Sequence, residues 1–126
     1  MAEKKILVVD DDESILESTS SLIRALGYEV KTASSVEEAL SECINQSFDL
    51  ILSDIEMPRH NGVRLMDEVR KMFPMPVVVL MSGSIKAMEE AAKHKPPADY
   101  MFQKPFGLEE IESTLKQAFG QPYLRP

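Results

Sequence analysis

Two apolar runs in this chain end in acid. Asp10 and Asp11 follow Ile6-Leu7-Val8-Val9, and Asp54 closes Phe48-Asp49-Leu50-Ile51-Leu52-Ser53. Runs of this length read as strands buried on both faces, and Met57-Pro58 stops the second one. A carboxylate at the carboxyl end of such a strand points into the crevice where open α/β sheets bind ligands. If the two strands are neighbours, three carboxylates crowd into one pocket. Like charges that close raise one another's pKa unless something cationic stands between them. The chemistry this implies is coordination of a divalent metal.

The rest of the chain supplies the elements that would bring these acids together. Ile15, Thr19, Leu22, Ile23 and Leu26 recur at helical spacing, and Gly27 offers a left-handed stop. Tyr28 to Thr32 alternates with period two, as an edge strand does. Ser34 or Ser35 then caps a helix with Val36, Ala39, Leu40, Cys43 and Ile44 on one stripe. Beyond Asn61-Gly62 a third helix is predicted with Leu65, Met66, Val69 and Phe73 inward and Pro74 as its end. Pro76 to Ser82 is another apolar strand, and a weaker helix runs from about Lys86 to Lys95, before Pro96-Pro97. Ala98 to Gln103 is the last strand, and Leu108, Ile111, Leu115 and Ala118 mark the last helix. Strict alternation argues for an α/β fold with a five-stranded parallel sheet and helices on both faces. An edge-like second strand beside three apolar ones fits the order 2-1-3-4-5, in which Asp10, Asp11 and Asp54 converge at the switch point.

Composition narrows the function classes. The 126 residues suit one domain, with 44% hydrophobic and 28% charged residues. A net charge of −7 without a Lys/Arg cluster argues against direct nucleic-acid binding and against an anionic membrane surface. The start runs into the first strand without the apolar stretch of a signal peptide, and no segment approaches a membrane span, so a cytoplasmic location is expected. The single Cys43 reads as a small buried hydrophobe, the eight methionines as core filler, and His60 and His94 as solvated residues in or beside loops, with no partner spaced for metal or catalysis.

Four motifs, each at the carboxyl end of its own strand, resemble the CheY-like receiver domain of bacterial two-component response regulators. They are Val8-Val9-Asp10-Asp11-Asp12-Glu13, Ser53-Asp54-Ile55-Glu56-Met57-Pro58, Ser82-Gly83 and Lys104-Pro105-Phe106. The likeness runs from Lys5 to about Phe119, implying a receiver domain over 1–120, with 121–126 as a tail or the start of a linker. The resemblance implies that Asp54 accepts a phosphoryl group from a histidine kinase or a small phosphodonor, since a carboxylate gives a reactive, reversible mixed anhydride. It implies Mg²⁺ held by Asp10, Asp11, Asp54 and the backbone carbonyl of Glu56; hard oxygen ligands beside a phosphate suit that ion. Lys104 and Ser82 would contact phosphoryl oxygens, and the Lys104-Pro105 peptide would be cis. Asp12 and Glu13 read as turn acids at a helix N-terminus. The expected output surface is the fourth helix, last strand and last helix, with a sensor histidine kinase or phosphotransfer protein as donor. An output domain after Pro126 or a separate effector would read the switch, and a homodimer through the same face is a further expectation.

The chain departs from the family's pattern at some positions. The aromatic switch residue usual three before the lysine is Met101 here, flanked by Tyr100 and Phe102, which alternation sends to the opposite face. Asn61-Gly62 stands where Asp-Gly is commoner, and Gly83 where Ala is frequent. Glu56 and Ser84 occupy the positions that tune dephosphorylation, and an anionic Glu56 is expected to slow it. The rival readings are a haloacid-dehalogenase-type phosphatase built on Asp10-Asp11-Asp12, a flavodoxin-like cofactor binder, and a receiver-like module that acts by protein contacts without phosphate. The first lacks an acidic pair placed after its lysine; the second lacks a Ser/Thr/Gly-rich phosphate loop.

Overall fold

A strand that is apolar on both faces needs a helix over each side, and a chain alternating such strands with amphipathic stretches satisfies this with parallel crossovers. The computed structural model describes residues 3–57 and 61–120. Its elements are β1 (Lys5–Val9), α1 (Glu13–Ala25), β2 (Glu29–Ala33), α2 (Val36–Asn45), β3 (Leu50–Asp54), α3 (Gly62–Val69), β4 (Val77–Ser82), α4 (Ile85–Ala92), β5 (Tyr100–Gln103) and α5 (Leu108–Phe119). All strand pairs are parallel, and the sheet order is β2-β1-β3-β4-β5.

Period-two alternation divides the core. Leu7, Val9, Ile51, Val78 and Leu80 face α2, α3 and α4, and meet Ala39, Leu65, Met66, Val69 and Ala91. Ile6, Val8, Leu50, Leu52, Val79 and Met81 face α1 and α5, and meet Ile23, Ile111 and Leu115. Each such fully buried side chain contributes about 1.5–3 kcal/mol relative to exposure, which fixes the register of the central strands.

Most helix starts are chemically specified. Asp12, Ser35, Asn61 and Ser84 each accept a hydrogen bond from a backbone N–H of the first turn. Glu110 instead reaches back to the Gly107 N–H, at 2.8 Å. Gly27 ends α1 with φ of +100°, a conformation that glycine reaches without the Cβ penalty.

Two sequence expectations about the core do not hold. Phe73 is 98% exposed. The helix stops at Val69, and Pro74 disfavours helical backbone at the residue before it, so Phe73 leaves the inward stripe. Ile44 is 79% exposed. It lies about 80° round the helix from Val36 at 100° per residue, at the margin of the stripe and one residue from the end of α2. The fourth helix runs from Ile85 to Ala92 and not to Lys95, and β5 begins at Tyr100 and not at Ala98. The expected tail, 121–126, and residues Pro58, Arg59 and His60 lie outside the described residues.

Candidate phosphoryl and metal site

The strand ladders run one step past the strands, and this positions the site. Asp10 N–H donates to the Ala33 carbonyl at 3.1 Å, Ile55 N–H to Met81 at 2.8 Å, and Lys104 N–H to Ser82 at 2.8 Å. The residues that carry chemistry are therefore held by sheet hydrogen bonds although their side chains have left the sheet. Carboxylate oxygens of Asp10, Asp11 and Asp54 all lie within 4.8 Å of one another. Asp10 and Asp54 are buried, and Asp11 is exposed at the mouth.

Lys104 lies between the buried acids. Its Nζ donates to Asp10 Oδ2 at 2.8 Å and stands 3.5 Å from Asp54 Oδ1. Asp10 Oδ1 accepts the Asp12 N–H at 2.9 Å, so both oxygens of Asp10 are engaged. Burial pushes the Asp54 carboxyl up to about 6; the Lys104 ammonium pulls against this, and the Asp10 charge adds to it. Burial works to lower the Lys104 pKa, but the hydrogen bond to Asp10 and the charges of Asp54 and Asp10 prevail and raise it. One ammonium facing this many acids leaves the pocket short of positive charge. All three donors are hard oxygens, one of them open to solvent, which fits a Mg²⁺ ion that keeps several waters.

Ser82 is wholly buried, and its hydroxyl is turned into the start of α4. It accepts the Ser84 N–H at 2.9 Å and lies 3.4 Å from the Ser84 carbonyl oxygen. Ser84 spends its own hydroxyl on the Ala87 N–H as the cap of α4. Glu56 is exposed, just past β3. Met101 packs on the α4 side of the sheet with Ala87, Met88 and Ala91, whereas Tyr100 and Phe102 lie on the α1–α5 side. The Lys104–Pro105 peptide bond is cis. Asp12 is not part of the pocket's acid set, because its carboxylate caps α1; hydrogen bonds from Ser14 and Ile15 hold its pKa below the usual carboxylate value.

Around the site, the structure corrects one further expectation and adds one residue. His94 is not simply solvated: it is half-buried, and its Nε2 is 2.7 Å from Asp67 Oδ1 on α3. Sequence spacing did not reveal this, because the partners are 27 positions apart, Asp67 on α3 and His94 two residues past the end of α4. Sequence marks Gly62 only as the residue after Asn61 at the head of the third helix. It donates its N–H to the Ile55 carbonyl at 2.7 Å, and a Cβ there would overlap the Asp54 carbonyl oxygen. The same carbonyl accepts the buried Ser53 hydroxyl at 2.9 Å. Only a residue without a side chain lets α3 start this close to the phosphoacceptor candidate's backbone.

Comparison with known proteins decides the family. A family model described as the response regulator receiver domain matches residues 6–116. The chain belongs to that family. This receiver domain is 34% identical over 112 residues to the transcriptional regulatory protein CpxR homolog of Haemophilus influenzae, covering 89% of this chain and 48% of that protein. It is 33% identical over 120 residues to the transcriptional regulatory protein ZraR of Escherichia coli, covering 94% of this chain and 27% of that one. The receiver domain thus spans half or less of the length of these relatives. Among solved structures it resembles the response regulator TrrA of Thermotoga maritima in complex with Mg²⁺ and BeF, with a TM-score of 0.82 and 31% identity, covering 92% and 99% of the two chains. It also resembles a chemotaxis CheY protein of Vibrio cholerae, with a TM-score of 0.83 and 30% identity, covering 94% and 100%. A receiver domain of this family is a phosphoacceptor switch in two-component signalling, and its acidic pocket is the kind that binds Mg²⁺. Among the described residues, no helix is long and apolar enough to cross a membrane.

Two outcomes are expected from this geometry. A carboxyl whose pKa is raised by folding stabilises the fold below its unfolded value and loses that contribution as pH rises through the folded value. In EDTA, Asp54→Asn is therefore as stable as the parent below about pH 4. Above pH 6 it becomes more stable, by about 2–3 kcal/mol for a rise from 3.8 to about 6. Urea melts across this range measure the difference; a gap that does not change with pH would contradict the assignment. Separately, Gly62→Ala is expected to cost about 1–3 kcal/mol by overpacking. It should also weaken Mg²⁺ binding several-fold in a titration of the folded protein. Gly83→Ala is the control, since its Cβ meets nothing within 4 Å.

Proposed function

We propose that this domain takes a phosphoryl group on Asp54, in a Mg²⁺-dependent reaction, from a sensor histidine kinase or phosphotransfer protein, and that the change is read at the α4–β5–α5 face. The observation that carries the proposal is the convergence of Asp10, Asp11 and Asp54 around a single lysine at the switch point of the sheet. The domain acts on itself only, catalysing its own phosphorylation and dephosphorylation.

The roles follow from what each side chain can do. Asp54 attacks phosphorus through a carboxylate oxygen; the phosphoryl group leaves its donor and the mixed anhydride forms without an oxidant or a proton relay. Asp10 and Asp11, with the Asp54 carboxylate and the Glu56 carbonyl, would hold Mg²⁺. When bound, that ion neutralises the charge that would otherwise keep an anionic donor from an anionic nucleophile. Lys104 holds Asp10 and leans toward Asp54, so it is already placed to meet a phosphoryl oxygen. Its two carboxylate contacts also keep it ionised.

Ser82 links the pocket to the output face. Its hydroxyl now serves the Ser84 N–H. Turning to a phosphoryl oxygen frees that N–H at the start of α4, a helix whose sole buried residue is Ala91. The phosphoryl adds about −1.5 to −2 charges, and the new contacts bias the position of α4 and β5. Met101, packed against α4 at the usual aromatic switch position, would follow that movement by sliding where an aromatic ring would flip. Glu56 and Ser84 would set the phosphoryl lifetime, Glu56 by its charge at the route for water. Output is carried by a further domain of a longer chain or by a separate effector, in the cytoplasm and without direct nucleic-acid contact by this domain. Self-association through α4–β5–α5, where Ile85 and Leu108 are exposed, is one way to transmit it.

The phosphatase reading is weakened by Asp12, whose carboxylate caps α1 and is not free to act as a second acid. The test is intact mass after incubation with acetyl phosphate and Mg²⁺. One phosphoryl adduct is expected on the parent and none on Asp54→Ala. An adduct that persists on the variant moves the nucleophile elsewhere, and no adduct on either protein favours a phosphate-independent module. In a chase after donor removal, Glu56→Asn should lose its adduct several-fold faster than the parent; an equal or longer lifetime would sink the role given to Glu56.

A further inference from the structure

Ser53 interrupts an apolar run at a fully buried position. It stands one residue before Asp54 in a strand that otherwise reads Leu50-Ile51-Leu52, and it is 1% exposed. Alternation puts its side chain on the face of the sheet that carries Ile51 and Ile55, which is otherwise apolar. A hydroxyl on such a face is costly unless it is hydrogen-bonded. The Ser53 hydroxyl donates to the Asp54 carbonyl oxygen at 2.9 Å.

That carbonyl has lost its place in the sheet. The β1–β3 ladder ends at the pair Val9–Ser53, whereas the β3–β4 ladder goes on to Asp54–Met81. The Ile55 N–H points to β4, where it donates to the Met81 carbonyl at 2.8 Å. Across a trans peptide the carbonyl points the opposite way, so the Asp54 oxygen faces the β1 side, where the ladder is over. Water is kept from it as well. Ser53, Asp54, Ile55 and Gly62 are all buried, and the head of α3 comes so close that a Cβ on Gly62 would overlap the oxygen. A buried carbonyl without a donor destabilises the fold, and the Ser53 hydroxyl supplies the donor.

We propose that Ser53 is a positioning residue for the metal and phosphoryl chemistry. Its hydroxyl locks the Asp54–Ile55 peptide, and with it the Asp54 carboxylate on one side and the Glu56 carbonyl on the other; this rests on the roles given to those two groups above. The peptide is held from both sides, through the Ile55 N–H by Met81 and through the Asp54 carbonyl by Ser53. Without the hydroxyl one hold is lost, the peptide turns toward another donor, and the two groups assigned to Mg²⁺ change their relative placement. The competing role for Ser53 is size alone, a small side chain where α3 starts close to β3. Ser53→Ala separates the two, because it stays small and lacks the hydroxyl.

The test is a Mg²⁺ titration followed by amide NMR shifts, which read the folded protein, with urea melts in EDTA alongside. Ser20→Ala is the control for loss of a buried hydroxyl. Ser20 is also 1% exposed and donates to a backbone carbonyl, that of Leu16 at 2.6 Å, but within α1. Ser53→Ala should bind Mg²⁺ roughly 10-fold more weakly than the parent, as loss of a supporting partner does at other metal sites. Ser53→Thr keeps the hydroxyl on a side chain suited to a strand and should recover most of that loss. Ser20→Ala should melt at lower urea and bind Mg²⁺ as the parent does. A Ser53→Ala protein with the parent's affinity overturns the proposal in favour of size. So does a Ser53→Thr protein that binds no better than Ser53→Ala, or an equal loss in Ser20→Ala. A parent that binds Mg²⁺ but gains no phosphoryl adduct from acetyl phosphate defeats the phosphoacceptor reading, and the Mg²⁺ comparison still decides the role of Ser53. A parent that binds no Mg²⁺ overturns both.

Discussion

One ammonium group faces a pocket built for more positive charge than it brings. Lys104 donates to Asp10 at 2.8 Å and stands 3.5 Å from Asp54, while Asp11 waits at the mouth. Burial raises the Asp54 carboxyl to about 6 even with the lysine beside it. The fold holds this arrangement because the backbone leaves it no freedom: the ladder hydrogen bonds of Asp10, Ile55 and Lys104 continue past the strands they follow. The repulsion is thus an intended tension, relieved when an ion enters and used again when a phosphoryl group arrives. A site with a full complement of cations would have no reason to bind either.

Placement by the sheet also explains why these residues can be read from sequence. Ile6-Leu7-Val8-Val9 and Leu50-Ile51-Leu52 can only be strands buried on both faces, and an acid following such a run has one place to go. The order of strands follows from which ones are apolar throughout. The cap Ser35 is legible for a similar reason, since it acts on backbone three residues away, whereas the caps at Asp12 and Asn61 read in the sequence only as turn or loop residues.

What sequence did not show depends on approach between distant segments or on where a stripe ends. Gly62 stands out in the sequence only beside Asn61 ahead of the third helix, and its role beside Asp54 comes from the closeness of two backbones across the head of α3. His94 meets Asp67 because the segment just past α4 comes back beside α3, which no spacing rule anticipates. Phe73 and Ile44 sat at the last positions of apolar stripes, where the helix either stops or turns its flank outward. Periodicity is strong evidence for the middle of an element and weak evidence for its margins.

The two ends of α4 are held in different ways. At its far end, Arg70 of the segment after α3 donates to the carbonyls of Pro96 and Pro97 at 2.8 and 2.6 Å, and Asp67 grips His94. At its near end the attachment is a serine hydroxyl that has another possible partner in the pocket. A rod bolted at one end and latched at the other can only swing about the bolt. On the proposed switch, unlatching Ser82 would move Ile85 through the widest arc and the His94 end through almost none, so a molecule reading it would grasp the helix near its beginning.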